Sequence, residues 1–313
     1  MTEPCDPEHP RPADGPRHQP TPAEDPFVGH RRLLFTVAYE VLGSAADAED
    51  VVQETWLRWA ALAPAARDEV VDPRAYLVRS VTRQALNRLR TLARRREEYV
   101  GEWLPEPLLV GPDVAEDVEL AESVSYAMLT VLETLGPAER AVFVLREVFA
   151  TPYEEIAAAV GRTPAAVRQI AHRARAHVSA RRPRTRVSRA EQDAVVERFL
   201  AAVRGGDLGE LMEVLAPDVI VVADGGGVVN ASRRPVRGAG RVSTLLATLT
   251  RLELDFEVAP MRLNGGPAAR FELDGRLDAA VALVIEDGRV SRIYVIRNPH
   301  KLGRLDREAE LGR

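Results

Sequence analysis

Charge in this chain is sorted into long blocks of one sign, and that sorting limits which surfaces its folded parts can present. Residues 79–96 carry seven Arg and no acid, and residues 156–190 carry nine Arg and no acid. Between them, residues 97–122 carry nine Asp or Glu and no base. The whole-chain balance of −5 is therefore a poor guide to partners, because contact with phosphate depends on the local field. The single cysteine, Cys5, excludes an intrachain disulfide and a Cys-based metal cluster, and no metal or cofactor is among the expectations. No apolar run approaches the roughly 20 residues of a membrane helix. The start of the chain has no basic-then-apolar signal pattern, and a cytoplasmic protein is the expectation.

A length of 313 residues suits two or three domains. Residues 1–26 hold eight Pro and almost no large apolar side chain, the composition of a disordered leader. Helical periodicity runs over 27–96, stops in the acidic linker 97–122, and returns to about residue 182. A short basic linker, Arg181 to Arg186, leads to a segment over 188–313 of different character. There, helices at 190–204 and 208–215 precede the β-branched run Val219-Ile220-Val221-Val222. A further helix is expected at 241–250, with strands at 254–263, 268–273, 279–285 and 290–296. Asp287-Gly288 marks a hairpin. Helices followed by a curved antiparallel sheet predict an α+β cone or half-barrel.

The most specific motif is a helix-turn-helix over 153–178. Ile156, Ala157 and Val160 share one face of its first helix, Gly161 permits the turn, Thr163 is a good N-cap and Pro164 suits the first helical position. Val167, Ile170, Ala171, Ala174 and Val178 repeat at helical spacing along the second helix. Arg168, Gln169, His172, Arg173 and Arg175 occupy its other face, where they suit base edges and phosphates in a major groove. A solvated helical hairpin is the bland alternative, weakened by the lack of any acid on that face. Upstream, Pro73 opens a helix with a buried stripe of Leu77, Val78, Val81, Ala85 and Leu89 and with Arg79, Arg83, Arg88 and Arg90 outside, a phosphate-tracking pattern. The helix over 47–59 turns Ala48, Val51, Val52, Trp56 and Trp59 inward and is by itself simply amphipathic. Trp59 and Tyr76 could stack on an unpaired base, although such aromatics are more often core.

In this order, DAEDVVQETWLRW, PRAYLVRSVTRQALNRLR and LGPAERAVFVLREVFATPYEEIAAAVGRTPAAVRQIAHRARAHV resemble regions 2 and 4 of the extracytoplasmic-function sigma factors of the sigma-70 family, over about residues 27–180. The resemblance implies a non-enzymatic subunit that joins RNA polymerase core and reads promoter DNA. It places Asp50, Gln53 and Glu54 against the β′ clamp helices, with the β flap as a second contact. It places Arg79, Arg83, Asn87 and Arg88 at the −10 element and the 164–177 helix at the −35 element. The acidic linker would then lie in the channel that later holds RNA. YVGEWLPEPL (99–108), DGGG (224–227) and NPHKL (298–302) are similar to motifs of the subgroup with a C-terminal SnoaL-like extension of the NTF2-like fold, which implies a built-in regulator. Glu102, Val228 and His300 depart from the usual residues there.

Trp103, Leu104 and Pro105 are expected to meet the loop Asp224, Gly225, Gly226 and Gly227, fixing the spacing of the DNA-reading modules. A cone of this type can also hold a small ligand or a catalytic acid/base pair. Asp224, Asn230, Arg270 and Asp278 are candidates by position alone. The glycine run lacks the following Lys-Ser/Thr of a phosphate loop and better suits a bulge or a close backbone approach. A repressor acting without polymerase and an enzyme fused to a DNA reader are the two rival readings.

Overall fold

The computed structural model describes residues 25–111, 118–181, 187–251 and 256–313. The leader up to residue 24 with Cys5, part of the acidic linker, most of the basic linker and the start of the strand expected at 254 lie outside these residues.

The first unit is helical. Helix α1 is Pro26–Leu42, α2 is Ala45–Ala60, α3 is Pro64–Asp68 and α4 is Pro73–Glu97. Ser44 caps α2, and its side chain accepts from the Asp47 amide. The expected stripe on α4 is buried, with Leu77, Val81 and Ala85 fully closed off from solvent. A second helical group follows: α5 (Val118–Ser123), α6 (Tyr126–Leu132), and α7 (Pro137–Phe143), which runs into one π turn at Val144–Val148. The helix-turn-helix is α8 (Tyr153–Val160) and α9 (Pro164–Ser179). Gly161 sits between them at φ 68°, a left-handed turn that costs glycine least.

The two helical groups pack directly on one another. One continuous apolar core runs from Phe27 through Leu89 into Leu129, Phe143, Ile156 and Val178. Arg140 of α7 crosses this junction almost fully buried. Its Nε donates to the Glu40 carbonyl at the C-terminal end of α1 at 2.7 Å, and its Nη1 donates to Glu133 at 2.6 Å. Glu40 is itself fully buried and accepts from Ser123 Oγ at 2.8 Å.

The C-terminal unit is an α+β cone. Helices α10 (Arg189–Gly205), α11 (Leu208–Val214) and α12 (Ala239–Arg251) pack on a six-stranded sheet. Its strands are β2 (Leu215–Asp224), β3 (Val236–Arg237), β4 (Phe256–Leu263), β5 (Gly266–Leu273), β6 (Arg276–Glu286) and β7 (Arg289–Ile296), in spatial order β3-β2-β7-β6-β5-β4. Only β2 and β7 run parallel within it. Three hairpins use Asn264-Gly265, Asp274-Gly275 and Asp287-Gly288, each with both residues at positive φ. Along the strands alternate side chains face opposite ways, and both faces are covered. Val219, Val221, Leu283 and Ile293 meet the domain's own helices, whereas Ala280, Ala282, Tyr294 and Ile296 meet Leu104 and Tyr126 of the helical part. A short parallel pair, β1 (Leu109–Val110) with β8 (Glu308–Ala309), ties the connector to the chain's last residues, which continue to α1. There Leu311 is buried in the helical core and the Gly312 amide donates to Thr36 Oγ1 at 3.0 Å.

Burial pushes the Glu40 carboxyl up to about 8, offset in part by its bond from Ser123 and by Arg140. A raised carboxyl means that the packed state favours the neutral acid. Glu40's contribution to the packed state is therefore fullest below the ordinary carboxyl value, about pH 4, and is lost as pH rises toward about 8, by an amount on the order of a few kcal/mol. Replacing Glu40→Gln should flatten this dependence, raising the melting temperature at pH 8 relative to the parent far more than at pH 5. A parallel offset at both pH values would contradict the assignment.

Candidate nucleic-acid interface and its interdomain clasp

Helix α9 presents an exposed face rich in arginine and free of acids. Thr163 Oγ1 accepts from the Ala166 amide at 3.2 Å and fixes the start of the helix. Val167, Ala171, Ala174 and Val178 anchor it in the core, while Arg168, Gln169, His172, Arg173 and Arg175 are all exposed on the opposite side. Three of these arginines rest against acids of neighbouring helices: Arg168 with Glu154 at 3.1 Å, Arg173 with Glu139 at 3.7 Å and Arg175 with Glu147 at 2.6 Å. Exposed pairs of this kind are worth about 0–1 kcal/mol, so phosphates can displace them at little cost.

The arginines of α4 are less free. Arg79 lies over the Tyr76 ring, 5.5 Å from its centroid. Arg83 is exposed, but its Nη2 donates to the Ala158 carbonyl of α8 at 2.7 Å. Asn87 is exposed and accepts from Arg90 at 3.1 Å. Arg88 forks onto α2, donating to Asp47 at 2.7 Å and to Asp50 at 3.0 Å. Asp50, Gln53 and Glu54 stand exposed on that helix. Trp59 is no stacking platform. It is 2% exposed, its Nε1 donates to Asp25 at 3.1 Å and its ring packs on Tyr76 at 5.6 Å.

Between these faces and the cone lies a polar clasp centred on Asp224, which has no exposed surface. Its Oδ1 accepts from Tyr99 Oη at 2.5 Å and from the Gly226 amide at 3.0 Å. Its Oδ2 accepts from the Leu104 amide at 3.0 Å and from Lys301 Nζ at 2.7 Å. Lys301 also donates to the Leu104 carbonyl and sits 3.2 Å from the centre of the Trp103 ring, a desolvated cation–π contact. Asn298 donates to Tyr99 Oη at 2.8 Å. Burial and the Asp224 charge hold the Tyr99 phenol well above its usual range, so it remains a donor. Gly226, at φ 64°, has no room for a side chain, since a Cβ would lie 2.4 Å from Asn298 Nδ2. Gly225 is equally confined, 2.4 Å from the Val229 carbonyl.

The connector grips the first helical group as well. Tyr39 Oη donates to the Glu106 carbonyl at 2.7 Å and accepts from Asn264 Nδ2 at 2.7 Å. The Leu108 amide donates to Asn264 Oδ1 at 3.0 Å. Glu106 Oε2 accepts from the Ala45 and Ala46 amides at 2.8 and 3.2 Å and from Ser44, and so fills the positive end of α2. Burial raises the Glu106 carboxyl, while those amides draw it back. On the other side Tyr126 Oη of α6 donates to the Pro105 carbonyl at 2.7 Å.

The catalytic alternatives named from position do not converge. Asp224 is committed to the clasp. Asp278 takes a bidentate Arg297 at 2.9 and 2.8 Å, Arg297 also donates to the Asn230 carbonyl at 2.6 Å, and Arg270 pairs with Glu272. Among the described residues no group of three His, Cys, Asp or Glu is placed to hold a metal, and no helix is long and apolar enough to cross a membrane. Tyr99, Glu106, Asn264, Asn298 and Lys301 were not singled out from the sequence. Four of them stand inside the two flanking motifs, YVGEWLPEPL and NPHKL, where polar residues set among apolar ones were the available signal. Asn264 gives no such signal beyond its turn.

The arrangement is that of known transcription proteins. Residues 27–95 match the family model for sigma-70 region 2, and residues 125–178 match that for sigma-70 region 4. The chain is 37% identical to the ECF RNA polymerase sigma factor SigJ of Mycobacterium tuberculosis over 88% of its own length and 91% of that protein. It is 35% identical to a probable ECF RNA polymerase sigma factor, SigI, of the same species, over 95% and 99% of the two chains. The crystal structure of SigJ superposes with a TM-score of 0.70 at 34% identity, covering 88% of this chain and 97% of that one. The chain belongs to the ECF sigma factors of the sigma-70 family, and its C-terminal unit is the α+β cone described above.

Because Asp224 and Lys301 are a buried pair, removing one charge strands the other. Asp224→Asn should destabilise the protein by about 3–5 kcal/mol, and adding Lys301→Met should restore part of that loss. Chemical denaturation of the single and double variants checks this; a double variant less stable than Asp224→Asn alone would overturn it.

Proposed function

We propose that this protein directs RNA polymerase core to promoters in the cytoplasm and that its C-terminal domain regulates this step without catalysing a reaction. The observation that carries the reading is the acid-free exposed face of α9 on a chain matched along both sigma modules. On this reading Arg168, Gln169, His172, Arg173 and Arg175 read the −35 element. Arg79, Arg83, Asn87 and Arg88 engage the −10 element, and Asp50, Gln53 and Glu54 meet the β′ clamp helices.

The packed arrangement has a mechanistic consequence. Helix α8 lies against α4, with Arg83 bonded to Ala158, so the −10 face is partly covered by the −35 module. Reading two separated boxes requires the modules to part, which opens their shared core. Leu104, bonded to Asp224 and Lys301, Trp103, packed on the Lys301 ammonium, and Pro105, whose carbonyl accepts from Tyr126, set the cost of that opening. A repressor acting without polymerase leaves the exposed acids of α2 without a role. Once engaged at promoter DNA, linkage of the modules raises the effective concentration of the second at its own box.

Co-purification with core polymerase and run-off transcription test the assignment, and failure of both would end it. The regulatory part is tested by Tyr99→Phe, which removes two hydrogen bonds from the clasp and weakens it by about 1–3 kcal/mol. Promoter-directed transcription at limiting core should rise by about five-fold or more; an unchanged yield would detach the clasp from regulation.

A further inference from the structure

A cleft of about 420 Å³ opens where the connector, the helices before the helix-turn-helix and the outer face of the cone's sheet meet. We propose that this cleft is a binding site for a small amphipathic anion, a carboxylate carried on an aromatic or medium-length aliphatic body. Its apolar wall is formed by Leu104, Val131, Val222 and Tyr294, with the Trp103 ring at one side. Side chains of this kind favour an apolar ligand body. Such a volume is at the lower end of ordinary small-ligand pockets, which suits a molecule of modest size.

Charge selects the head group. Arg292 of β7 lines the cleft half-buried, two residues from Tyr294 and therefore on the same face of the sheet. Among the described residues no carboxylate pairs with its guanidinium, a costly state for a partly desolvated cation. Arg181, just beyond α9, lines the same cleft and makes only a long bond of 3.4 Å to the His177 carbonyl. Of the two acids there, Glu133 already binds Arg140 at 2.6 Å, which leaves Glu102 as the one opposing charge. Two available guanidiniums over an apolar wall fit a carboxylate with a greasy body. Neither a bare phosphate nor a neutral lipid uses both features.

The walls come from three parts of the chain that form a cleft only while packed together. A ligand seated there binds the packed arrangement and not the parted one, so it shifts the population toward packing. At ten times its dissociation constant it would lower the parted fraction about ten-fold. This regulatory corollary rests on the proposed promoter function; the binding itself does not.

The test uses the full chain and two probes, decanoate and 2-naphthoate, followed by isothermal titration calorimetry and by thermal shift. At least one probe should bind saturably with one-to-one stoichiometry and raise the melting temperature. Arg292→Gln should weaken that probe about ten-fold or more, the worth of one charge-assisted contact. Val222→Phe, which fills the cleft and leaves both arginines, should weaken it similarly, and decanol or 2-naphthol should bind far less well than the matching acid. Absence of saturable binding by both acids up to about 1 mM would overturn the proposal. So would equal binding of the neutral analogue, or unchanged affinity in both variants. Because no polymerase is present, a negative result here leaves the promoter reading intact, and a failed transcription assay leaves this binding test intact.

Discussion

Asp224 is the point on which the three parts of this molecule turn. A carboxylate with no exposed surface is tolerable only when its oxygens are satisfied and its charge is met, and here four donors, the Lys301 ammonium among them, do both. The donors come from distant places in the chain. Tyr99 and Leu104 lie in the connector, and Gly226 and Lys301 lie in the cone. Satisfying one buried charge thus fixes the connector on the cone. Pairs of this kind add little net stability compared with an apolar substitute, but they punish any arrangement that separates the partners. The clasp acts chiefly as a specificity device for one docked geometry.

From that anchor the connector organises the rest. Glu106 caps α2, Tyr39 and Tyr126 donate to consecutive connector carbonyls, and Asn264 answers from the β4–β5 turn. A segment read from composition as an acidic strap is in this stretch a buried seam. Leu104, Glu106 and Leu108 are each at most 4% exposed. The sheet accordingly packs on both faces, one against its own helices and one against its partners, and the latter is lined by the small residues Ala280 and Ala282 that let the connector approach.

What the sequence revealed follows from the range of the forces involved. Helix spacing, the Thr163 cap, the Gly161 turn and the Asp287-Gly288 hairpin are local, and each was legible. The strand order of the cone was not, since β2 reaches the distant β7 in parallel and no local signal encodes that pairing. The exposed arginines of α9 were legible because burial leaves a periodic trace. The tie between Arg88 and Asp50 joins residues 38 positions apart, and the seating of Arg83 on Ala158 joins residues 75 apart. Neither leaves a trace in one dimension. Charge blocks say nothing about how the two helical groups pack. The apolar residues that merge the two cores are ordinary helix interiors, and nothing in them records which helix they meet.

The account therefore makes the free protein a packed molecule whose modules must part to read a promoter. Distances between spin labels at Leu57→Cys and Ala176→Cys, in a chain with Cys5→Ser, test this most directly, since the labelled sites lie on exposed faces of α2 and α9 and outside the residues assigned to DNA and polymerase. The free protein should give one narrow distribution that moves to longer distance when core polymerase and promoter DNA are added. A broad distribution in the free protein, or the same distance in the complex, would contradict the account.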